Sequence, residues 1–354
     1  MMNIDSLYYD AVDLLKQMIA IPSFSREEKQ VADLLESYLK EKGFCPKRKE
    51  NNLWLKSIPW DENKPTILLN SHIDTVKPVS GWTKKPFLPT EEDGKLYGLG
   101  SNDAGASVVS LISAFQILTA REQPNNFILL ISSEEEISGK GGVESVLSEL
   151  PKITFALVGE PTEMNPAIAE KGLMVLDGVI YGKSGHAARN EGENAIYKAL
   201  PVIDWVQKLE FPKISDLLGS VKTTITMIQA GTQHNVVPDV CKFTVDVRTN
   251  ELYSNQELFE EIQSQCGCEI NARSFRLNSS RISPTHPIVE RAKTLGLNPF
   301  GSPTLSDQAL MNFPSLKIGP GKSERSHSAD EFIYLFEIRE AIHLYVNLLK
   351  DLIL

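Results

Sequence analysis

The chain has 354 residues, of which 42% are hydrophobic and 23% are charged, and its formal net charge is −10. This length and composition are typical of one or two globular domains with a sizeable core. Proteins that mainly bind phosphate backbone usually carry a basic face. The sequence has no dense Lys/Arg block, so we expect no nucleic-acid partner. No apolar stretch approaches the roughly 18 residues of a membrane span, so we expect no membrane association.

The N-terminal sequence and the cysteines bear on the cellular compartment. Residues 1–25 show no basic region followed by an apolar region, so no signal peptide is expected. The cysteines are too few and too scattered for a disulfide framework. They are Cys45, Cys241, Cys266 and Cys268. We therefore predict reduced thiols in a cytoplasmic protein.

Two amphipathic helices begin the predicted fold. Residues 5–20 carry apolar side chains at helical spacing. In the next helix, Ser25 could be the N-cap and Glu28 its partner in a capping box. Gly43 could end that helix, since glycine adopts the left-handed conformation found there.

Short apolar runs with abrupt polar ends follow, and they predict strands. They lie at 66–70, 127–132, 155–158 and 315–319. A helical pattern over 101–120 separates the first two. Apolar strands that alternate with helices indicate an α/β fold, with a mostly parallel, buried sheet and flanking helices. Functional groups in such sheets gather beyond the carboxyl ends of the strands, where these polar residues stand.

The middle of the chain has a different pattern. Its predicted elements are strand 173–182, helix 193–211, strands 221–231 and 241–249, helix 254–265 and strand 268–277. The order βαββαβ is that of a ferredoxin-like unit. We therefore predict a catalytic domain of residues 1–173 and 283–354, interrupted by an inserted domain at 174–282.

Polar residues after the predicted strands are candidates for a metal site. They are His72, Asp74, Asp103, Glu134, Glu135, Glu136, Glu160 and His327. Each alone has an ordinary explanation, such as a helix cap, a solvated loop or a surface histidine. As a set, they supply the imidazole nitrogen and carboxylate oxygen that Zn²⁺ takes. Two metal ions that share a carboxylate can hold one hydroxide and polarise a carbonyl, while a further glutamate moves the proton.

Six segments of the sequence resemble the motifs of one enzyme family. In chain order they are LLKQMIAIPSFS, NSHIDTV, LYGLGSNDAGA, SSEEEISGKGG, LVGEPT and SERSHSADEF. They resemble the acetylornithine deacetylase, succinyl-diaminopimelate desuccinylase and aminoacylase family of co-catalytic zinc amidohydrolases and peptidases. The resemblance covers nearly the whole chain, with an insert of the family's size between the fifth and sixth segments. It implies a hydrolase of linear amide bonds with two Zn²⁺ per chain, which Co²⁺ can replace.

The resemblance also implies a role for each polar residue. His72 and Glu160 would hold one zinc ion, Glu136 and His327 the other, and Asp103 would bridge them.

Two further carboxylates would assist these ligands. Asp74 would accept a hydrogen bond from the other nitrogen of His72, and Glu135 would act as general base and then acid. The alternative, with Glu134 as base and Glu135 as ligand, stays open.

Two segments depart from the usual family pattern. After Asp103 the family often has a bulky residue and then Lys-Gly, whereas this chain has Ala104-Gly105-Ala106. Leu99 replaces an arginine that is common elsewhere and resembles the acetylornithine deacetylase branch. Neither change removes a candidate ligand.

The inserted domain contributes further candidates by the same resemblance. His186 would reach the active site of a partner subunit and stabilise the oxyanion, which implies a homodimer formed through a lid and dimerisation domain. Asn235 would contact the reacting group, and Arg248 would bind the substrate α-carboxylate.

The implied substrate is an N-acyl amino acid. N-acetylornithine, in arginine biosynthesis, is the first expectation, with acetylcitrulline or N-succinyl equivalents beside it. A succinyl-diaminopimelate desuccinylase and a metallo-dipeptidase or aminopeptidase are the alternatives. A non-catalytic binding protein on the same fold is a remote one.

Overall fold

The computed structural model describes residues 4–189 and 191–354, which form two compact units. The first unit runs to Ile168 and includes Arg281–Phe300 and Ser306–Leu354. The second comprises Ala169–Ser280 and Gly301–Leu305. The short segment at 301–305 lies outside the insert predicted from the sequence, although it packs with that unit.

The described residues form helices in both units. They are α1 (Ile4–Ile19), α2 (Lys29–Glu41), α3 (Ala106–Thr119), α4 (Val143–Leu147), α5 (Ala195–Gln207), α6 (Asn255–Gln265), α7 (Pro287–Thr294) and α8 (Leu335–Leu349). Within the described ranges, every helix is too short or too polar to cross a membrane.

The strands of the described residues form three sheets. They are β1 (Lys47–Lys49), β2 (Asn52–Lys56), β3 (Thr66–His72), β4 (Thr90–Glu92), β5 (Lys95–Tyr97), β6 (Asn126–Ser132), β7 (Phe155–Val158), β8 (Ala167–Glu170), β9 (Gly172–Tyr181), β10 (Lys222–Ala230), β11 (Val240–Thr249), β12 (Glu269–Ala272), β13 (Ser280–Arg281), β14 (Phe300–Ser302), β15 (Ser315–Lys317) and β16 (Phe332–Tyr334). A small sheet joins β16, β5 and β4.

The largest sheet has a parallel centre. Its strand order is β1-β2-β6-β3-β7-β15-β8-β13, with β14 paired to β8. The pairs β6–β3, β3–β7 and β7–β15 are parallel, whereas β1–β2, β2–β6 and β15–β8 are antiparallel. Strands β3 and β6 are buried at every residue, as expected where helices cover both faces of a sheet. The predicted α/β fold is therefore confirmed.

The start of α2 differs from the prediction. Arg26 has a left-handed φ of 74°, so a helix cannot pass through it, and α2 begins at Lys29. Ser25 Oγ donates to Asp74 Oδ2 at 2.7 Å instead of capping the helix. The Glu28 carboxylate accepts from the backbone amides of Arg26 and Glu134. The predicted capping box is wrong, because Asp74 binds the Ser25 side chain and the amides of Arg26 and Glu134 bind the Glu28 carboxylate.

The second unit is a four-stranded antiparallel sheet covered by helices α5 and α6. Its strand order is β10-β11-β9-β12. Phe243, Leu176 and Leu258 lie in the core between sheet and helices. The observed order of elements is the βαββαβ order that the sequence predicts, and helix α5 continues through Pro201.

Candidate metal centre

The parallel strands bring polar residues from distant parts of the chain to one edge of the sheet. His72 is the last residue of β3, and it pairs with Ser132 at the end of β6. Asn70 on β3 pairs with Val158 at the end of β7. The segments that leave β6 and β7 therefore start beside His72. They carry the acidic triplet 134–136 and Glu160, which explains why these residues meet.

One group of possible metal ligands surrounds His72, which is almost fully buried. Its Nε2 lies 3.4 Å from Asp103 Oδ1 and 3.6 Å from Glu160 Oε1. The ligand atoms of these three residues lie within 4.8 Å of one another.

A second group shares Asp103. His327 Nε2 lies 2.9 Å from Glu136 Oε2 and 3.7 Å from Asp103 Oδ2. The ligand atoms of these residues also lie within 4.8 Å of one another. The two oxygens of one carboxylate therefore face two separate groups, which is the arrangement of a bridging ligand.

Each glutamate of the acidic triplet 134–136 has a distinct position in this structure. Glu136 belongs to the second group, and Glu135 Oε2 lies 3.8 Å from His72 Nε2. Glu134 has a left-handed φ of 55°, and its carboxylate accepts from the backbone amide of Gly141. This geometry supports Glu135 beside the ligands and Glu136 among them, and it speaks against the alternative with Glu134 as base.

Asp74 has different partners from those predicted. His72 Nδ1 lies 3.0 Å from the Asp74 backbone oxygen but 3.4 Å from its carboxylate. The Asp74 carboxylate instead accepts from the backbone amides of Glu135 and Glu136, at 3.0 and 3.1 Å. The carbonyl therefore orients the imidazole with Nε2 directed at the ligand group. The carboxylate holds the acidic segment in place.

The segment that carries Asp103 makes a tight turn. Gly100 has a φ of 76°, a conformation that glycine adopts readily. A Cβ added at Gly105 would lie 2.5 Å from the Gly100 backbone oxygen. The departure at Ala104-Gly105-Ala106 therefore places a glycine at position 105, where a side chain would meet the backbone of Gly100.

Burial and crowding control the ionisation of this cluster. Burial raises the pKa of Glu160 to about 8 and raises the pKa of Glu135 well above its usual range. Burial opposes the charged form of His72. The surrounding carboxylates, Glu135 first among them, outweigh that effect and raise the pKa of His72 well above its usual value. Several carboxylates thus face one buried imidazole, a condition that a divalent cation relieves.

The geometry fits a divalent metal ion. His72 Nε2 and Glu160 Oε1 are buried, and neither has a hydrogen-bond partner among the described residues. Two ligand atoms of a tetrahedral zinc ion, each about 2.0–2.1 Å from it, lie roughly 3.3 Å apart. The separations of 3.4 and 3.6 Å from His72 Nε2 are close to that value.

The structure also reveals buried carboxylates that sequence reasoning missed. Glu331 is 2% exposed and accepts hydrogen bonds from backbone amides of the Asp103 segment. Asp307 is buried and accepts from Ser132 Oγ at 2.6 Å, and burial raises its pKa to about 6. Glu331 stands in the SERSHSADEF segment, but no spacing rule distinguishes it from the neighbouring Asp330.

Three predicted residues lie in the second unit. His186 is exposed, and it forms an isolated bridge with Val236. The next backbone amide, that of Ala187, donates to the Asn235 oxygen at 3.0 Å, so the loops of His186 and Asn235 are joined. Arg248 binds Asp246 through two hydrogen bonds of 2.9 and 3.1 Å.

Comparisons with known proteins identify relatives over most of the chain. The chain is 27% identical to succinyl-diaminopimelate desuccinylase of Pelagibacter ubique, over 97% of this chain and 99% of the relative. It is 30% identical to the protein of the same name from Verminephrobacter eiseniae, over 71% of this chain and 69% of the relative.

Solved structures share the fold. Aminopeptidase PepT from Bacillus cereus matches with a TM-score of 0.79 and 18% identity, over 97% of this chain and 98% of that one. A tripeptidase from Staphylococcus aureus matches with a TM-score of 0.78 and 21% identity, over 99% and 98%.

The family match covers most of the chain. Residues 68–351 match the sequence profile of peptidase family M20/M25/M40, and this stretch contains both ligand groups. Together with the relatives, it confirms the resemblance found in the sequence. The chain therefore belongs to peptidase family M20/M25/M40 and is a hydrolase that acts on amide bonds.

Proposed function

We propose that the chain is a two-zinc amidohydrolase that removes the acyl group from the nitrogen of an N-acyl amino acid. The observation that carries this proposal is a pair of His/carboxylate groups that share Asp103. The buried Glu135 beside them supports it.

The two groups supply the ligands. His72, Asp103 and Glu160 would hold one ion, and Asp103, Glu136 and His327 the other. When bound, such a pair of ions polarises the scissile carbonyl and makes water acidic enough to attack near neutral pH. The remaining steps fall to the side chains of this chain.

Glu135 has the environment that a proton carrier requires. Burial raises its pKa well above the usual range, which favours the protonated form that it must adopt before it can give up a proton. Glu135 would take a proton from the attacking water and give it to the leaving nitrogen as the carbon–nitrogen bond breaks. The products are a carboxylate and a free amino group.

The second unit supplies candidates for substrate contacts. The exposed His186 would donate a hydrogen bond to the oxyanion in the active site of a partner subunit, and Asn235, whose loop is joined to that of His186, would contact the reacting group. Arg248 would bind the α-carboxylate, for which the guanidinium must share or leave its pair with Asp246.

The edge of the second unit supports a homodimer. Strand β10 lies at one edge of the four-stranded sheet and exposes Met227 and Ile228, each about half exposed. Helix α5, which packs against β10, exposes Tyr197 and Leu200. An exposed apolar edge strand is a template for pairing with a second chain. We propose that two copies associate there.

Two observations bear on the acyl group. Leu99 favours the acetylornithine deacetylase branch, whereas the relatives are named for succinyl-diaminopimelate. We therefore propose N-acetyl or N-succinyl derivatives of ornithine or citrulline as substrates. N-succinyl-diaminopimelate is the second candidate, which the relatives favour.

A substrate screen tests the proposal. The zinc-loaded protein is assayed with N-acetyl and N-succinyl forms of ornithine, citrulline and diaminopimelate, and with dipeptides and tripeptides that have free amino groups. We expect the highest kcat/KM for one of the N-acyl amino acids, and loss of activity after chelation. Faster cleavage of a peptide than of every N-acyl amino acid would refute it.

A further inference from the structure

The buried carboxylate of Glu331 holds the backbone next to the shared ligand. Its Oε1 accepts from the amides of Asn102 and Asp103 at 2.9 and 3.0 Å, and its Oε2 accepts from Gly100 at 3.1 Å. The Glu331 backbone oxygen accepts from the Gly98 amide at 3.0 Å. Four hydrogen bonds from the 98–103 segment therefore end on one residue, four positions after His327.

Asn102 makes a second connection between the same two segments. Its Nδ2 donates to the Lys322 oxygen at 3.0 Å and to Ser326 Oγ at 3.2 Å. The Lys322 amide donates back to Asn102 Oδ1 at 3.0 Å. The segment with Asp103 is thus fixed to the chain on both sides of His327.

We propose that Glu331 is a positioning residue, which sets the spacing between Asp103 and His327 and so shapes the site of the second metal ion. This inference rests on the proposed metal centre. Glu331 belongs to neither ligand group, and both of its carboxylate oxygens accept from backbone amides. It acts through the backbone of Asp103. The carboxylate of Asp103 lies 3.7 Å from His327 Nε2.

The two ligand groups depend on Glu331 to different extents. In the group of Asp103, Glu136 and His327, two of the three residues lie on segments that Glu331 joins. In the other group, His72 ends strand β3 and Glu160 follows strand β7, and the ladder of the large sheet positions both. Loss of the Glu331 carboxylate should therefore weaken one metal site more than the other.

The test is a metal titration of Glu331→Gln. Glutamine keeps the size and one acceptor oxygen, but it replaces the second oxygen with an amide N–H₂ that faces the amide of Gly100. We expect the first Zn²⁺ to bind within about threefold of wild type and the second to bind about 10–100-fold more weakly. Calorimetry in the presence of a competing chelator measures both, and the visible spectrum of Co²⁺-substituted protein reports the ligand geometry.

Asp330→Asn is the matched control. Asp330 is the adjacent residue, and its carboxylate also accepts from backbone amides, those of Thr83 and Lys84, both at 2.9 Å. Among the described residues it has no hydrogen bond to the 98–103 segment, so both ions should bind as in wild type. Glu331→Asp serves if the glutamine variant does not fold, since it keeps the carboxyl group but shortens its reach, and the second ion should again bind more weakly.

The outcomes separate this inference from the proposed function. Unchanged affinity for the second ion in Glu331→Gln, or equal weakening of both ions, would overturn the role of Glu331. The titration uses no substrate, so inactivity toward every N-acyl amino acid would refute the substrate class alone. Uptake of a single ion by the wild-type protein would overturn both the shared centre and this inference.

Discussion

Without its metal ions, the folded protein should become less stable as the pH rises from 5 to 8. In the metal-free protein, burial raises the pKa of Glu160 from 4.5 to about 8. Between these values the folded state binds a proton that the unfolded state has released. The free energy of unfolding is therefore highest near pH 5 and falls as the pH approaches 8. The raised pKa of His72 acts in the same direction above pH 6.5, because the folded imidazole keeps its proton longer.

The magnitude follows from proton linkage. One group contributes about 1.4 kcal/mol per pH unit, so Glu160 alone would lower the free energy of unfolding by on the order of 4 kcal/mol from pH 5 to pH 8. For a unit of this size, that corresponds to a decrease in Tm of roughly 8–16 °C.

The assay is thermal unfolding of chelator-treated protein at several pH values. Tryptophan fluorescence follows mainly the first unit, because Trp54, Trp60 and Trp82 lie there. Zinc-loaded protein should not lose stability over this range, since the ions replace the protons. Glu160→Gln should show a shallower pH dependence without metal. A metal-free wild-type protein that is equally stable at pH 5 and pH 8 would refute the reasoning.

Three further predictions concern single side chains. Glu135→Gln should lower kcat by about 10²–10⁴-fold with both ions still bound, whereas Glu134→Gln should keep most activity. Equal losses in steady-state assays would contradict the assignment of Glu135 as the base. Asp74→Asn should weaken metal binding or kcat by about 10–100-fold, because two amide hydrogen bonds to the acidic segment are disturbed; unchanged titrations and rates would exclude this. Arg248→Ala should raise KM by about 10–100-fold for substrates with an α-carboxylate, and an unaltered KM would remove Arg248 from the binding site.

Much of the fold and most candidate ligands could be predicted from the sequence, because strand patterns and polar strand ends are local features. The apolar runs around 66–70, 127–132 and 155–158 are buried strands in the structure. Their carboxyl ends meet by the rules of parallel sheets. That convergence explains why His72 and Glu160 could be named before their distance was known.

Other features were decided by tertiary structure alone. Glu134, Glu135 and Glu136 are chemically identical in the sequence, and only the backbone turn at Glu134 directs its neighbours toward His72 and His327.

The most informative case is Glu331. It lies 228 residues from Asp103 in the chain, and its function depends on hydrogen bonds between two folded segments. A sequence specifies which residues can accept such bonds. It does not show which backbone amides will face them, because that depends on how distant segments pack. The composition and order of the candidate metal ligands were thus determined by the sequence, and the framework that holds them was decided by the fold.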